Sequence, residues 1–318
     1  MTAAVSESRV RLPAPARARK AKRRVDTRAA GYLFLLPWLV GFFFLTLGPT
    51  LSSLYLSFTD FNLLQPPRWI GAQNYVRMLS ADPRFVGAVE VTLLYVVLSV
   101  PAKLAFALGI ALLLDKGIRG LTVYRALFYL PSLLGASVAI AVLWRQIFSA
   151  DGIVNAVLGV FGVAGMSWIS NPGTAIYTLV LLSVWQFGSP MIIFLAGLRQ
   201  IPQDLYEAAS MDGASKWRQF RRITLPLLAP VIFFNLVLQT IDAFKAFTPA
   251  FIISGGTGGP IDSTLFYTLY LYEEGFGNFR MGYASAMAWV LLIAIAAFTA
   301  AAFVTSKYWV FYEDDGKR

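Results

Sequence analysis

Long apolar runs alternate with short polar segments along most of the sequence. Each run is at least about 20 residues long, which is enough for a helix rising about 1.5 Å per residue to cross a hydrocarbon core about 30 Å thick. The runs show no two-residue alternation, and an open sheet would leave backbone groups unpaired in lipid. The pattern therefore predicts an all-α integral membrane protein with six transmembrane helices, at residues 32–58, 85–114, 124–148, 175–195, 225–253 and 283–303.

Composition supports a membrane protein and excludes several kinds of chemistry. Of the 318 residues, 57% are hydrophobic and 14% are charged, and the mean hydropathy is +0.63. Cysteine and histidine are absent, which removes thiolate chemistry, the usual general base and the commonest metal ligand. We therefore expect no catalytic residue, no metal site and no cofactor bound by this chain.

The basic residues predict the orientation of the helices. If the N-terminus is cytoplasmic, the inner segments carry 20 Lys and Arg residues and the outer segments carry four. Cytoplasmic loops are enriched in Lys and Arg, so both termini are predicted to be cytoplasmic. The net charge of +10 is then explained by topology in a lipid membrane, and no nucleic-acid partner is predicted.

Three regions are predicted along the chain. Residues 1–28 are rich in Ala, Arg and Pro and are predicted to form a disordered, basic cytoplasmic tail. Residues 29–310 form the transmembrane domain, and residues 311–318 form a cytoplasmic C-terminal tail. The first apolar run is too long for the core of a signal peptide, so we interpret it as an uncleaved helix.

One charged segment, residues 199–226, lies between the fourth and fifth apolar runs. Pro202 suits the first turn of a helix, Gly213 suits a helix C-terminus, and Ser215 suits the N-cap of a second helix. The segment is therefore predicted to be a cytoplasmic helix–turn–helix whose small residues allow another protein to approach closely. The alternative is a solvated connecting loop.

The stretch "EAASMDGASKWRQFRRITLPLLAP", residues 207–230, resembles the EAA loop of ATP-binding-cassette (ABC) importer permeases. The preceding "FLAGLRQIPQDLY" and the segments "SFTDF", "YRALFYLPSLLGASVAIAVLW" and "GFGNFRMGYASAMAWVLL" are similar to the carbohydrate-uptake branch, of the maltose and glycerol-phosphate type, and to its first permease subunit. The matching positions with a predicted role in coupling to an ATPase are Glu207, Ala208, Ala209, Asp212, Gly213, Ala214, Phe220, Ile223, Leu225 and Pro226.

The resemblance implies a type I ABC importer permease fold in a bacterial cytoplasmic (inner) membrane. It implies a second permease subunit, two ABC ATPase subunits, an extracellular or periplasmic solute-binding protein and a sugar substrate. ATP and Mg²⁺ would bind the partner ATPase, because "SGGTGGP" lacks the Lys of a phosphate-binding loop. The large external domain and additional N-terminal helices of the maltose-type subunit are not found in this sequence.

Candidate substrate-path residues come from polar and aromatic side chains in the fourth and fifth runs. Asp242 and Lys245 are three residues apart and share a helix face with Gln239, whereas Phe244 and Phe247 are predicted to lie on a different face. Amides can bind sugar hydroxyls, and aromatic rings can cover apolar sugar faces. The alternative is a structural ion pair and helix packing. The predicted path residues are Trp185, Gln186, Ser189, Gln239, Asp242, Phe244, Lys245 and Phe247.

The solute is less well defined by the sequence. A phosphate ester would require convergent Lys or Arg. Apart from Arg125, which is counted with the adjoining inner segment, the runs contain only Lys103, Arg145 and Lys245, so a neutral di- or oligosaccharide or polyol is favoured. Lys103 and Arg145 are interpreted as interfacial or structural groups. Two alternatives stay open: a permease for glycerol phosphate or another solute, and an ion-coupled transporter that acts alone.

Overall fold

The computed structural model describes residues 27–117, 120–135 and 137–310. The predicted C-terminal tail and all but the last two residues of the predicted N-terminal tail lie outside the described residues, because the first helix begins at Thr27. The α-helices are α1 Thr27–Gly41, α2 Gly48–Ser57, α3 Gln73–Ser80, α4 Pro83–Asp115, α5 Leu121–Leu134, α6 Val138–Ile147, α7 Ile153–Val160, α8 Ala175–Trp185, α9 Gly188–Leu198, α10 Gln203–Met211, α11 Lys216–Gln219, α12 Leu225–Phe244, α13 Thr248–Ile253, α14 Tyr267–Tyr272 and α15 Met281–Ser306.

The all-α prediction is confirmed, with small additions. A two-stranded antiparallel ribbon pairs β1, Thr59–Asp60, with β2, Arg68–Trp69. Single π-helical segments follow α1, α11 and α14, and a short 3₁₀ turn precedes α14.

Helix length and composition indicate four membrane spans, or six if each of two bent helix pairs is counted as one span. Four helical stretches are long and apolar enough to span alone, and the pairs α5–α6 and α8–α9 each qualify as one broken span. α8 and α9 meet at an angle of 44°. The four continuous stretches are Phe34–Ser57, Pro83–Asp115, Lys216–Ile253 and Met281–Ser306. All six predicted runs therefore coincide with helices.

The chain divides into two compact units at Ser52. In the first unit, α1 continues through a π-helical segment into the start of α2, and Trp38 stacks on Phe42 with ring centroids 5.4 Å apart. Many large apolar side chains of this unit are exposed, among them Phe34 and Leu45. This composition fits a helix that is solvated by lipid.

In the second unit, α4 is the central helix. It packs against α8, α9, α12 and α14 through small residues such as Ala88, Ala107 and Ala111, which are fully buried. Small residues let helix backbones approach closely, which is a main source of helix association in membranes. Gly188 does the same for α9, because a Cβ there would overlap the backbone of Phe128 in α5.

The two ends of α4 anchor different loops. Near its C-terminus, Asp115 forms an ion pair with Arg199 at 3.9 Å, so the segment after α9 lies beside the end of α4. Near its N-terminus, Arg84 binds Asp262 and Glu273, two residues between α13 and α15. The loops with a basic excess and the loops without one are thus held at opposite ends of the same helix.

Candidate functional site

Two short helices joined by a glycine turn connect α9 to α12. The N–H groups of Gly213 and Ala214 donate to the carbonyls of Ser210 and Ala209 at 3.0 and 2.9 Å. These two bonds form a Schellman motif, which ends α10 and requires a left-handed residue at its centre. Gly213 has φ of +74°, a conformation that glycine adopts without steric penalty. The predicted helix–turn–helix is confirmed, and we call residues 203–224 the coupling loop, after the role that the resemblance predicts for it.

Side chains hold the two arms of the coupling loop together. The Gln219 amide, 3% exposed, donates to Ser210 Oγ at 2.8 Å and to the Ala214 carbonyl at 3.2 Å. The hydroxyls of Tyr206 and Thr224 are 2.9 Å apart. Because these bonds join residues on both sides of the turn, the coupling loop is ordered within the chain itself.

Apolar side chains project from this otherwise polar segment. Met211 is 89% exposed and Trp217 is 70% exposed, and they flank the glycine turn. A contiguous exposed apolar patch rimmed by polar residues marks an interaction site, and these two side chains are candidates for such a patch. Sequence reasoning identified the exposed Glu207 nearby and overlooked these two residues, although large apolar residues beside a polar turn were a detectable signal.

The remaining predicted coupling residues differ in exposure and in position along the loop. Ala208 and Asp212 are exposed, as Glu207 is, whereas Ala209 and Ala214 are half-buried. Ile223 and Pro226 lie where the loop enters the fifth span, and they line a groove of about 370 Å³ together with Leu205, Arg222 and Leu227. Phe220 and Leu225 are half-buried.

A cavity of about 320 Å³ lies between α4, α8 and the end of α12. This volume is at the lower end of the range for small-molecule sites. Five of the eight predicted path residues line it, together with other residues of the same helices. The lining residues are Tyr95, Val100, Lys103, Ser183, Gln186, Gln239, Asp242, Ala243, Lys245, Ala246, Phe247, Thr248 and Pro249.

The cavity contains three ionisable side chains apart from Tyr95. Lys245 Nζ lies 3.8 Å from Asp242 Oδ1, and both side chains are more than half exposed in the isolated chain. Lys103 of α4 lines the same cavity. Lys103 was interpreted from the sequence as interfacial or structural, and this interpretation missed its position on the cavity, because its neighbours come from other helices.

Phe247 lies on the cavity with Asp242 and Lys245, so its predicted placement on a different face is wrong. That prediction assumed one continuous helix over residues 225–253. The helix ends at Phe244, Lys245 is its C-cap, and α13 begins at Thr248. A proline inside a helix cannot donate to the carbonyl four residues before it and crowds that carbonyl. For Pro249 that residue is Lys245, where α12 ends, so Pro249 explains the break.

Three predicted path residues lie away from the cavity lining. Trp185 packs against Trp144 with centroids 6.0 Å apart. The Ser189 N–H donates to Ser132 Oγ at 2.9 Å, and Phe244 is buried against Phe298 at 6.1 Å. Tyr95 and Ser183 line the cavity instead.

A polar cluster caps the end of α4 opposite the coupling loop. Asp82 is the N-cap of α4 and accepts from the Phe85 N–H at 3.0 Å and from the Tyr270 and Tyr283 hydroxyls at 2.6 and 2.5 Å. Burial alone would raise the pKa of the Asp82 carboxyl, but these hydrogen bonds outweigh it and lower the pKa below its ordinary value. We call Asp82, Arg84 and their partners the α4 cap cluster.

Sequence comparison shows that the chain is similar to membrane components of transport systems. Residues 78–309 match the family described as "binding-protein-dependent transport system inner membrane component". The chain is 52% identical over 285 residues to the probable ABC transporter permease protein YesP of Bacillus subtilis, covering 89% of this chain and 92% of that protein. It is 32% identical over 292 residues to the lactose transport system permease protein LacF of Rhizobium radiobacter, covering 90% and 96%.

A solved structure has the same fold. The crystal structure of a bacterial ABC transporter involved in the import of the acidic polysaccharide alginate aligns with a TM-score of 0.72 and 23% identity, covering 88% of this chain and 96% of that one. The predicted type I ABC importer permease fold is confirmed.

Proposed function

Because the chain belongs to the inner membrane components of binding-protein-dependent transport systems, we propose that it is the first permease subunit of an ABC importer for a carbohydrate. The chain is a non-catalytic membrane component, and ATP is hydrolysed by a partner ATPase. In the proposed complex, this chain and a second permease enclose the path. Two ATPase subunits bind from the cytoplasm with ATP and Mg²⁺, and a solute-binding protein delivers the sugar on the opposite side.

The coupling loop is the observation that carries the proposal. Its glycine turn and cross-bonds fix a rigid shape, and Met211 and Trp217 project from it without contacts that bury them. An ordered surface with exposed apolar groups and the carboxylate of Glu207 is suited to binding in a groove of a partner protein. We propose that an ATPase receives this surface and that its nucleotide-driven movement reaches α12 through the continuous helix that begins at Lys216.

The proposed cargo follows from the relatives and from the cavity. Relatives at 30% identity or more include transport proteins named for lactose, for trehalose and maltose, and for arabinooligosaccharides. The cavity combines the amides of Gln186 and Gln239 with the ring of Phe247. Amides can exchange hydrogen bonds with sugar hydroxyls, and an aromatic ring can cover an apolar sugar face. A di- or oligosaccharide, or a related polyol, fits this mixture.

The proposed orientation places the coupling loop and both termini in the cytoplasm. The ion pair between Asp115 and Arg199 holds two basic loops at one end of α4, and the α4 cap cluster holds the less basic loops at the other. The positive-inside rule assigns the basic end to the cytoplasm. A cysteine introduced in the coupling loop should then be labelled from the inside only.

Co-purification tests the coupling assignment. The chain is expressed with its ATPase, and the ATPase recovered per permease is compared for wild type and for a Met211→Ser/Trp217→Ser variant. We expect the variant to lose most of the ATPase because its exposed apolar contacts are removed. Leu64→Ser, a control at another side chain that is 83% exposed, should retain it. Equal recovery of the ATPase from all three proteins would show that the ATPase does not bind through the exposed apolar side chains of the coupling loop.

A further inference from the structure

The charges of the cavity are unbalanced. Lys103 and Lys245 contribute two positive charges, and Asp242 contributes the single carboxylate among the lining residues. The three side chains come from α4 and from the end of α12, so the imbalance arises only when the helices are assembled. In sequence, Lys103 and Lys245 are 142 residues apart, and the expectation of a neutral sugar was based on the absence of convergent basic residues.

One of the two lysines lacks a short ion pair. Asp242 approaches Lys245 at 3.8 Å, whereas Lys103 forms no ion pair within 4.0 Å among the described residues. An ammonium group within a membrane span is costly unless another charge compensates it, and such residues mark substrate pathways. The cavity is therefore electrostatically suited to a ligand with a negative charge.

Resting on the proposed function, we infer that the cargo is an acidic saccharide, one that carries a carboxylate as in a uronic acid. The uncharged lining supports a saccharide: Gln186, Gln239 and Ser183 offer hydrogen bonds to hydroxyls, and Phe247 offers a ring face. Two lysines and one aspartate give the cavity lining a net charge of about +1. A single carboxylate balances this charge, whereas a phosphate monoester, with about −1.5 to −2 charges, would exceed it. Lys103 is the residue assigned to the carboxylate, and Asp242 orients Lys245.

The test uses the complete transporter in proteoliposomes with its solute-binding protein. Disaccharides of glucuronic, galacturonic and mannuronic acid are each compared with their methyl esters, which keep the ring and hydroxyls and remove the charge. Uptake is measured for wild type, Lys103→Gln, Lys103→Arg and Lys116→Gln. Lys116 is an exposed residue at the end of α4, away from the cavity, and controls for the loss of a lysine.

We expect wild type to take up at least one uronate in preference to its ester. Lys103→Gln should reduce uptake of that uronate at least about tenfold, because the buried carboxylate loses its partner, and should change uptake of a neutral sugar less than about twofold. Lys103→Arg should restore part of the uronate uptake, and Lys116→Gln should match wild type. Recovery of the assembled complex verifies folding of each variant.

Two results would overturn the inference while leaving carbohydrate import intact. The first is uptake of esters or neutral disaccharides without uptake of any uronate. The second is an equal reduction of charged and neutral sugars in Lys103→Gln. If no saccharide of either kind stimulates ATP hydrolysis or enters the vesicles, the proposed carbohydrate function fails, and this inference fails with it.

Discussion

Replacing Gly213 should weaken coupling in proportion to the strain that the new residue places on the turn. Among the described residues, no atom lies within 4 Å of the position that a Cβ would occupy, so the penalty arises from the backbone. At φ of +74°, an L residue is destabilised by about 1–2 kcal/mol relative to glycine. This corresponds to about a 5- to 30-fold lower population of the correctly turned conformation. We expect sugar uptake to fall up to about fivefold in Gly213→Ala and about 30-fold in Gly213→Val.

The assay measures uptake and bound ATPase per permease inserted in the membrane, so that a loss of insertion is distinguished from a loss of coupling. Gly213→Asn is the matched control, because asparagine tolerates the left-handed conformation despite its larger side chain. The order of activity should be Gly, Asn, Ala and then Val. If Asn is as damaging as Val, side-chain volume at the ATPase contact matters more than the turn, and if Val is active, the reasoning is refuted.

Three further predictions concern stability in detergent. Arg84→Gln should lower the free energy of unfolding by about 1 kcal/mol, and less at high salt because the cluster is partly exposed, whereas the exposed Arg68→Gln should leave Tm unchanged; equal shifts would contradict this ranking. Gly188→Ala should lower Tm through overlap with α5, while Gly109→Ala, which has open space, should be neutral or stabilising. The lowered pKa of Asp82 means that the unfolded chain binds its proton first as pH falls, so its contribution should persist from neutral pH to about 4 and be lost below that. Asp82→Asn should abolish this acid-dependent part of the Tm profile, and an unchanged profile would count against the assignment.

Local features were predictable from the sequence because they depend on neighbouring residues. Gly213 and Ser215 fixed the turn and the start of α11, and Ser215 Oγ accepts from the Arg218 N–H at 3.4 Å as an N-cap should. The six apolar runs likewise coincide with helices. Helix breaks were harder: Pro249 ends the helix of the fifth span before Phe247, yet Pro101 and Pro230 lie inside helices that continue.

The cavity could be predicted only in part. Asp242 and Lys245 were identified because they are three residues apart on one helix, and Gln239 shares their face. Lys103 was misplaced because its position depends on the packing of α4 against α12, which periodicity does not specify. Exposed residues such as Trp217 were overlooked for a related reason, because the sequence shows an apolar residue without showing whether anything covers it.

Uptake into proteoliposomes tests the central claim most directly. Vesicles containing this chain, the second permease and the ATPase should accumulate a labelled saccharide only when ATP is supplied to the side of the coupling loop and the loaded binding protein to the other. Vesicles containing this chain alone should accumulate none, with or without an ion gradient. Uptake by the chain alone, driven by an ion gradient and independent of ATP, would contradict the account.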